Sequence, residues 1–261
     1  MKIILICFEF AWFVYISPMI LLKNNRKRTQ WLLCFLGANF LVAIALLICY
    51  IMQYELIWRV MDNLVVSESE AKGIPTILQM MKVFNFFLFY TTAIFFLLWF
   101  RRAYHNMLQV GAYLSYKTDG WAIGVWFMPI LNLYKPYSLM KELFAEAESY
   151  LHEKQKGMVL FADSRTLIIL WWCLWIASRI IAVVLGQGNK AYHDLKKLKF
   201  FTEFGIFDKL FQMVLIVVTF KMVWDYSKLE QQVKDVVESE NQQEEIRSGL
   251  MAIESPDLES N

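Results

Sequence analysis

One histidine and one carboxylate are the residues of this chain whose types best suit acid–base chemistry. They are His105 and Asp119, and a polar stretch separates them. Catalysis by such a pair also needs a nucleophile, a metal ion or an oxyanion hole beside the reacting atoms, and the sequence places none of these nearby. We therefore expect no catalytic role for the pair and predict that the protein is not an enzyme.

The thiols and the remaining imidazoles show no spacing typical of a metal or redox site. Each cysteine lies within an apolar run, no two have Cys-x-x-Cys spacing, and the histidines are scattered. We interpret the cysteines as small apolar fillers and predict no disulfide framework, no zinc site and no cofactor. The residues concerned are Cys7, Cys34, Cys49, Cys173, His105, His152 and His193.

One amide lies between two prolines, which are Pro129 and Pro136, with Asn132 between them. Broken helices of transporters expose backbone carbonyls to a substrate or an ion, so this site is compatible with transport. Alternatively, the amide of Asn132 satisfies the broken backbone itself. Both interpretations stay open.

The elements that hold these residues belong to a membrane protein, as the composition indicates. Apolar residues make up 58% of the 261 residues and charged residues only 19%, with a mean hydropathy of +0.40. Soluble globular chains are about 45–50% apolar and about 25% charged. A net charge of +2 without a long basic tract makes no case for nucleic acid.

Four apolar runs predict an all-α, polytopic transmembrane helical bundle with four core spans. The intervening segments Tyr54–Lys82 and Gly186–Gly205 are polar and predict exposed loops. We expect residues 1–22 to form an extra N-terminal hydrophobic helix; the alternative is that the chain truly starts at Met19. Residues 23–226 are predicted to form the membrane domain. Residues 227–261 are predicted to form an acidic cytoplasmic tail, which is disordered from about Asn241. The four runs are Leu32–Gln53, Val83–Phe100, Thr166–Leu185 and Ile206–Trp224.

Gly120–Met140 is apolar but contains prolines, which break a straight helix. Because freed carbonyls in lipid must be met by protein or water, we interpret it as a re-entrant or interfacial broken helix. The positive-inside rule supports this, since basic residues are divided more unequally if the segment does not span. Lys141–Lys156 then predicts an amphipathic helix.

The same topology places Arg179 and Asp208 at similar depths in the outer half of the membrane. A charge there is costly unless it is paired, so we predict an ion pair between them; the alternative is that Arg179 reaches the outer interface. Five tryptophans could form an aromatic box for a ligand, but we favour packing and interface roles. They are Trp121, Trp126, Trp171, Trp172 and Trp175.

A specific pattern runs from Trp99 to Tyr137. A span ends in Trp-x-x-Arg-Ala-Tyr-x-Asn, and a loop leads into Gly-Trp-Ala-x-Gly-Val-Trp-Phe-x-Pro-x-x-Asn-Leu-x-x-Pro-Tyr. It resembles a bacterial membrane-protein family known as domain of unknown function 4328, which has Trp in place of Val125. The matching residues are Trp99, Arg102, Ala103, Tyr104, Asn106, Gly120, Trp121, Ala122, Gly124, Trp126, Phe127, Pro129, Asn132, Leu133, Pro136 and Tyr137.

The resemblance covers about residues 25–226 and implies no activity, because the family has none assigned. We expect a non-enzymatic component of the bacterial cytoplasmic membrane, with a cytoplasmic C-terminus, that binds a protein partner through the amphipathic helix and the acidic tail. The alternative is a small transporter, channel-like or lipid-handling protein that uses the broken segment Gly120–Tyr137. The lipid bilayer is the other expected partner.

Overall fold

The computed structural model describes residues 20–154, 164–186 and 194–254, and all regular structure within them is helical. Two 3₁₀ turns, Val125–Phe127 and Leu131–Leu133, follow the third helix. The extra helix expected within residues 1–22 falls almost entirely outside the described residues. The helices are α1 (Arg26–Met61), α2 (Glu68–Gln109), α3 (Asp119–Gly124), α4 (Lys135–Lys154), α5 (Ser164–Gly186) and α6 (Leu195–Glu254).

The long helices α2 and α6 both run opposite to α1. Arg59 near the end of α1 forms an ion pair with Glu70 near the start of α2, at 3.3 Å. Asn25, immediately before α1, donates a hydrogen bond to Glu230 in the second half of α6. Both neighbours of α1 are therefore antiparallel to it. We call the end of the bundle where α1 begins the lower end, and the opposite end the upper end.

Three helices, α1, α2 and α5, are long and apolar enough to cross a membrane. A hydrocarbon core of about 30 Å needs about 20 helical residues, whereas α1 has 36 and α2 has 42. Both helices therefore extend beyond such a core. The expected fourth span, Ile206–Trp224, forms the middle of α6 and is not among these three.

The segment Tyr54–Lys82 is mostly helical, so its interpretation as a loop was wrong. Only residues 62–67 connect α1 to α2. The Ser67 side chain accepts a hydrogen bond from the backbone of Glu70, whose carboxylate accepts one from the backbone of Ser67. This capping box satisfies two otherwise unpaired donors and begins α2 far earlier than hydropathy indicates.

Two further polar segments are also helical. The helix α6 begins at Leu195, where the Asp194 carboxylate accepts hydrogen bonds from the backbone N–H groups of Lys196 and Lys197. At its other end, α6 continues to Glu254, so the described part of the tail after Asn241 is helix rather than disordered chain. The second part of the segment Gly186–Gly205, from Leu195, is therefore helix and not the predicted loop, and residues 187–193 lie outside the described residues.

The largest core cluster lies at the lower end, where α4 packs against α6. The predicted amphipathic helix is confirmed, and its apolar face is buried inside the protein against residues such as Tyr226 and Val233. Charged residues of α4 take the opposite face, as at Glu142 and Glu146. The buried residues of α4 include Leu139, Met140, Leu143, Phe144, Ala147 and Leu151.

Candidate functional site

A buried carboxylate at the lower end is hydrogen-bonded by two asparagines from other elements. Glu230 on α6 accepts from Asn25 Nδ2 at 3.0 Å and from Asn106 Nδ2 on α2 at 2.8 Å. The three residues are only 8%, 5% and 3% exposed respectively. The polar cluster Asn25–Asn106–Glu230 therefore joins α2, α6 and the start of α1.

Local structure explains how each side chain reaches the cluster. Glu230 falls within the buried stripe of α6, between Leu229 and Val233, so its carboxylate enters the core rather than solvent. Asn25 is the residue before α1, and its Nδ2 also donates to the carbonyl of Trp99 at 3.3 Å. The cluster is thus attached to the backbone of α2 as well as to its side chains.

Asn106 also fixes the extended segment that leads into α1. Its Nδ2 donates to the carbonyl of Lys23 at 2.8 Å, and its Oδ1 accepts from the N–H of Lys23 at 3.0 Å. Together with the bond to Glu230, these contacts use both amide hydrogens and the oxygen of Asn106. This side chain is consequently the hub that holds the N-terminal segment against α2 and α6.

The electrostatic environment of Glu230 is unusual for a carboxylate. Burial raises the pKa of Glu230 above its ordinary value, and the hydrogen bonds from the two asparagines and the positive charge of Arg102 oppose this only in part. Among the described residues no cation lies within ion-pair distance of its carboxylate. A buried charge without a counter-charge is costly, so the site would favour a cation beside Glu230.

An open cleft of about 400 Å³ lies over the cluster. Asn25, Asn106 and Glu230 line it, and the hydroxyls of Thr29 and Ser227, 3.2 Å apart, form part of one wall. The further lining residues are the cationic Lys23, Arg26, Lys228 and Lys234, the apolar Leu22, Leu33 and Trp224, and the uncharged polar Asn24, Gln30 and Gln231. The cleft therefore combines a polar floor, a cationic rim and an apolar wall.

One atom of the floor lacks a partner. Asn25 Oδ1 is buried and accepts no hydrogen bond from the described protein, although Nδ2 of the same amide makes two. A buried acceptor left unpaired costs free energy, and a donor within the cleft would remove that cost. The floor therefore contains an unused acceptor, with almost no accessible surface of its own, in addition to the carboxylate of Glu230.

The family-like motif contributes to this site only through its first half. The carbonyl of Trp99 accepts a hydrogen bond from Asn25, and Asn106 belongs to the cluster itself. Arg102 acts on Glu230 through its positive charge. Tyr104 is fully buried and holds the following loop, because its hydroxyl bonds both the N–H and the carbonyl of Tyr116.

The second half of the motif lies elsewhere. Trp126 packs edge-on against Phe96 at 5.4 Å, which supports the packing interpretation of this tryptophan. Trp121 and Pro129 are exposed. Asn132 does not line the cleft, and its buried Oδ1 accepts no hydrogen bond from the described residues. The other motif residues of this half are Gly120, Gly124, Pro136 and Tyr137, of which Pro136 is buried at the start of α4.

The broken segment has the predicted interruption. Between α3 and α4 the chain forms the two 3₁₀ turns, with Pro129 between them. Several of its apolar side chains point outward, among them Phe127, which is 73% exposed, and Ile130, which is 77% exposed. Clustered apolar exposure of this kind is typical of an interaction site or a membrane contact.

Two other predicted sites have a different outcome. Arg179 lies over the rings of Phe89 and Trp175, at 5.0 and 5.5 Å, while Asp208 pairs with Lys209 at 2.9 Å. The expected ion pair between Arg179 and Asp208 is not formed, because the nearest cation to Asp208 is its own neighbour on α6 and the Arg179 guanidinium stacks on aromatic faces instead.

His105 and Asp119 do approach each other, with Nδ1 and Oδ2 3.9 Å apart, but the carboxylate is bound more closely by Arg101 Nε at 2.9 Å. Asp119 therefore acts first as the ion-pair partner of an arginine. Within the described ranges, no group of three or more His, Cys, Asp or Glu side chains is arranged to hold a metal ion.

Sequence reasoning missed Glu230, the residue at the centre of the cluster. It was counted only as one of the acidic residues of the tail. A signal was present, since Glu230 lies four residues after Tyr226 and three before Val233, which places a charge on the buried stripe of α6.

The comparisons with known proteins identify a family. No curated protein and no solved structure matches the chain significantly. One family model, described as "Domain of unknown function (DUF4328)", matches residues 62–228, which is more than half of the chain. The match contains Trp99 and Asn106, begins after Asn25 and ends shortly before Glu230. The resemblance seen in the motif is thereby confirmed, and the chain belongs to the DUF4328 family.

Proposed function

We propose that this protein is a non-enzymatic, multi-pass membrane protein whose lower cleft binds the polar head of a lipid or a similar amphiphile. The observation that carries the proposal is the buried carboxylate of Glu230, which lacks a cationic partner among the described residues and lines an open cleft. The cleft volume of about 400 Å³ falls within the range of small-molecule sites, about 300–1,000 Å³.

The position of the cleft suits a ligand that is partly in the membrane. Trp224 and Leu33 line it, and each lies at or next to the end of a predicted span. Tryptophan is enriched at the membrane interfaces where such spans end. Basic residues also collect at this end, which supports a cytoplasmic lower end and C-terminus in a bacterial cytoplasmic membrane. They include Arg26, Lys27, Arg28, Arg101 and Arg102.

The membrane arrangement proposed here has four spans: α1, α2, α5 and the middle of α6. The charges Asp208 and Lys209 do not oppose a span in α6, because they pair with each other at 2.9 Å and are nearly fully buried. The exposed apolar side chains of the broken segment, such as Phe127 and Ile130, support an interfacial or re-entrant position for residues 120–134 at the lower membrane surface.

Native mass spectrometry of the full chain, extracted gently from its own membrane, tests the proposal. The wild type should retain an amphiphile, and Ser227→Trp, which fills the cleft wall, should lose it. Ser69→Trp, at an exposed site near the upper end, is the matched control and should retain it. Equal retention by Ser227→Trp and the wild type would place the ligand elsewhere and refute binding in the cleft.

A second candidate function is binding of a protein partner through the end of α6. Ile246 and Leu250 are exposed and lie four residues apart on one face of the helix. The apolar face of α4 is not available for this role because it is buried in the core. Truncation after Asn241 should abolish capture of a stoichiometric partner if this function is correct, and should leave lipid retention unchanged.

A further inference from the structure

The cleft has two poles of opposite electrostatic character, which together restrict the head group that fits it. The floor contains two acceptors: the Glu230 carboxylate, and the unpaired Asn25 Oδ1, which has almost no accessible surface of its own. Neither has a cationic partner within the described part of the chain. A ligand group that satisfies the floor must therefore carry N–H donors and, to offset the buried carboxylate, a positive charge.

The rim presents cations that are not neutralised internally. Lys23, Arg26 and Lys228 line the cleft and form no ion pair within 4.0 Å with any described residue. Lys234 is different, since it pairs with Glu238 at 3.3 Å. Three free cations around the opening attract an anionic group such as a phosphate.

Resting on the proposed function, we infer that the bound head group is a zwitterion, with a primary ammonium against Glu230 and Asn25 and a phosphate against the rim. A phosphatidylethanolamine head has this chemistry. The acyl chains of such a lipid would leave the cleft along its apolar wall at Leu22, Leu33 and Trp224.

The floor discriminates a primary ammonium from its alternatives. A quaternary ammonium has no N–H to donate and is usually held by aromatic faces, but the face of Trp224 is already covered by Lys228 at 5.2 Å. A purely anionic head, such as phosphatidylglycerol, would satisfy the rim and leave Glu230 without a counter-charge. The expected order of retention is therefore phosphatidylethanolamine before phosphatidylcholine and phosphatidylglycerol.

Competitive retention from nanodiscs tests the inference. The full-length protein is delipidated and reconstituted with equal amounts of phosphatidylethanolamine, its mono- and dimethyl derivatives, phosphatidylcholine and phosphatidylglycerol, all with the same chains. Native mass spectrometry should show retention decreasing with each added methyl, about 10-fold overall, since a hydrogen bond to a charged group has about that effect on an equilibrium constant. This series uses only wild-type protein and does not depend on any variant folding.

Two variants then test the floor and the rim of the cleft separately. Glu230→Gln should remove the preference for phosphatidylethanolamine over phosphatidylcholine, whereas Lys228→Met should lower retention of all the phospholipids alike. Competition by soluble phosphoethanolamine at the same concentration as the lipid would support the head-group chemistry and assign the ligand to a soluble molecule.

Equal retention of the amine and choline lipids by the wild type, or preference for phosphatidylglycerol, would overturn the inference while leaving lipid binding in place. Retention that Ser227→Trp does not change would overturn the proposed function itself. The two failures are thus distinguishable.

Discussion

Asn106 is the side chain whose loss should most damage the lower end of the bundle. Asn106→Ala removes three hydrogen bonds at once: two with the backbone of Lys23 and one with the carboxylate of Glu230. The side chain that is removed is 3% exposed, so water replaces these bonds poorly. The substitution therefore releases the N-terminal segment and leaves Glu230 with one amide donor instead of two.

The expected cost follows from the types of bond. Bonds between neutral groups contribute about 0.5–1.5 kcal/mol each and a bond to a charged group about 1.5–3 kcal/mol. The total loss for Asn106→Ala is therefore about 2.5–6 kcal/mol in the free energy of unfolding. In a double-mutant cycle with Glu230→Ala, about 1–3 kcal/mol of this should appear as coupling between the two residues.

Unfolding in mixed micelles with increasing dodecyl sulfate, followed by circular dichroism, measures the change. Gln109→Ala is the matched control, because Gln109 is an exposed amide one turn further along α2. The control should differ from wild type by less than about 0.5 kcal/mol. If Asn106→Ala and Gln109→Ala were equally stable, or if Asn106 and Glu230 showed no coupling, the hub role of Asn106 would be refuted.

Three further effects are expected in the same unfolding assay. Gly205→Ala should destabilise the protein by about 1–3 kcal/mol, because a Cβ there would lie less than 3.0 Å from the ring of Tyr50; Gly37→Ala has open space and should not. Ser67→Ala should cost about 1 kcal/mol through loss of the capping box, and an unchanged stability would contradict that role. Burial raises the pKa of Glu230. Its contribution to stability is therefore complete below the ordinary carboxyl pKa and is lost as the pH rises through the raised pKa. Over that pH range the wild type should lose stability relative to Glu230→Gln, and parallel pH profiles of the two proteins would contradict this. Arg102 is the charged group that acts on this carboxyl, and Lys23, Arg26, Lys228 and Lys234 line the cleft above it.

Hydropathy predicted the helices that could cross a membrane but not where the helices end. The apolar runs at Leu32–Gln53, Val83–Phe100 and Thr166–Leu185 all lie in α1, α2 and α5. The polar segment Tyr54–Lys82 lacks an apolar run, yet most of it is helical. Its first part continues α1, and its second part belongs to α2, which begins at a capping box. Neither feature depends on hydropathy. A hydropathy scale averaged over a window measures the free energy of transferring residues to lipid. It therefore does not detect the polar part of a helix that continues into water.

Only part of the candidate site could be predicted from the sequence. Trp99 and Asn106 were indicated by their motif, and the interruption expected within Gly120–Met140 is present as two 3₁₀ turns on either side of Pro129. Glu230 was missed because the tail was interpreted by net composition, although its position relative to Tyr226 indicates a buried face. The pair Arg179 and Asp208 was inferred from depth alone, which does not exclude a closer partner on the same helix.

The position of the cluster also separates its structural role from its role in binding. Asn106 has all its donors and its acceptor used within the protein, which is what a structural hub requires. Asn25 and Glu230 differ, since one keeps an unpaired oxygen and the other a buried carboxylate that forms no ion pair with any described residue. A buried acceptor left unpaired and a buried carboxylate without an ion pair each cost free energy. Their polar groups therefore cost stability that Asn106 does not, and binding of a donor in the cleft is the event that would recover it.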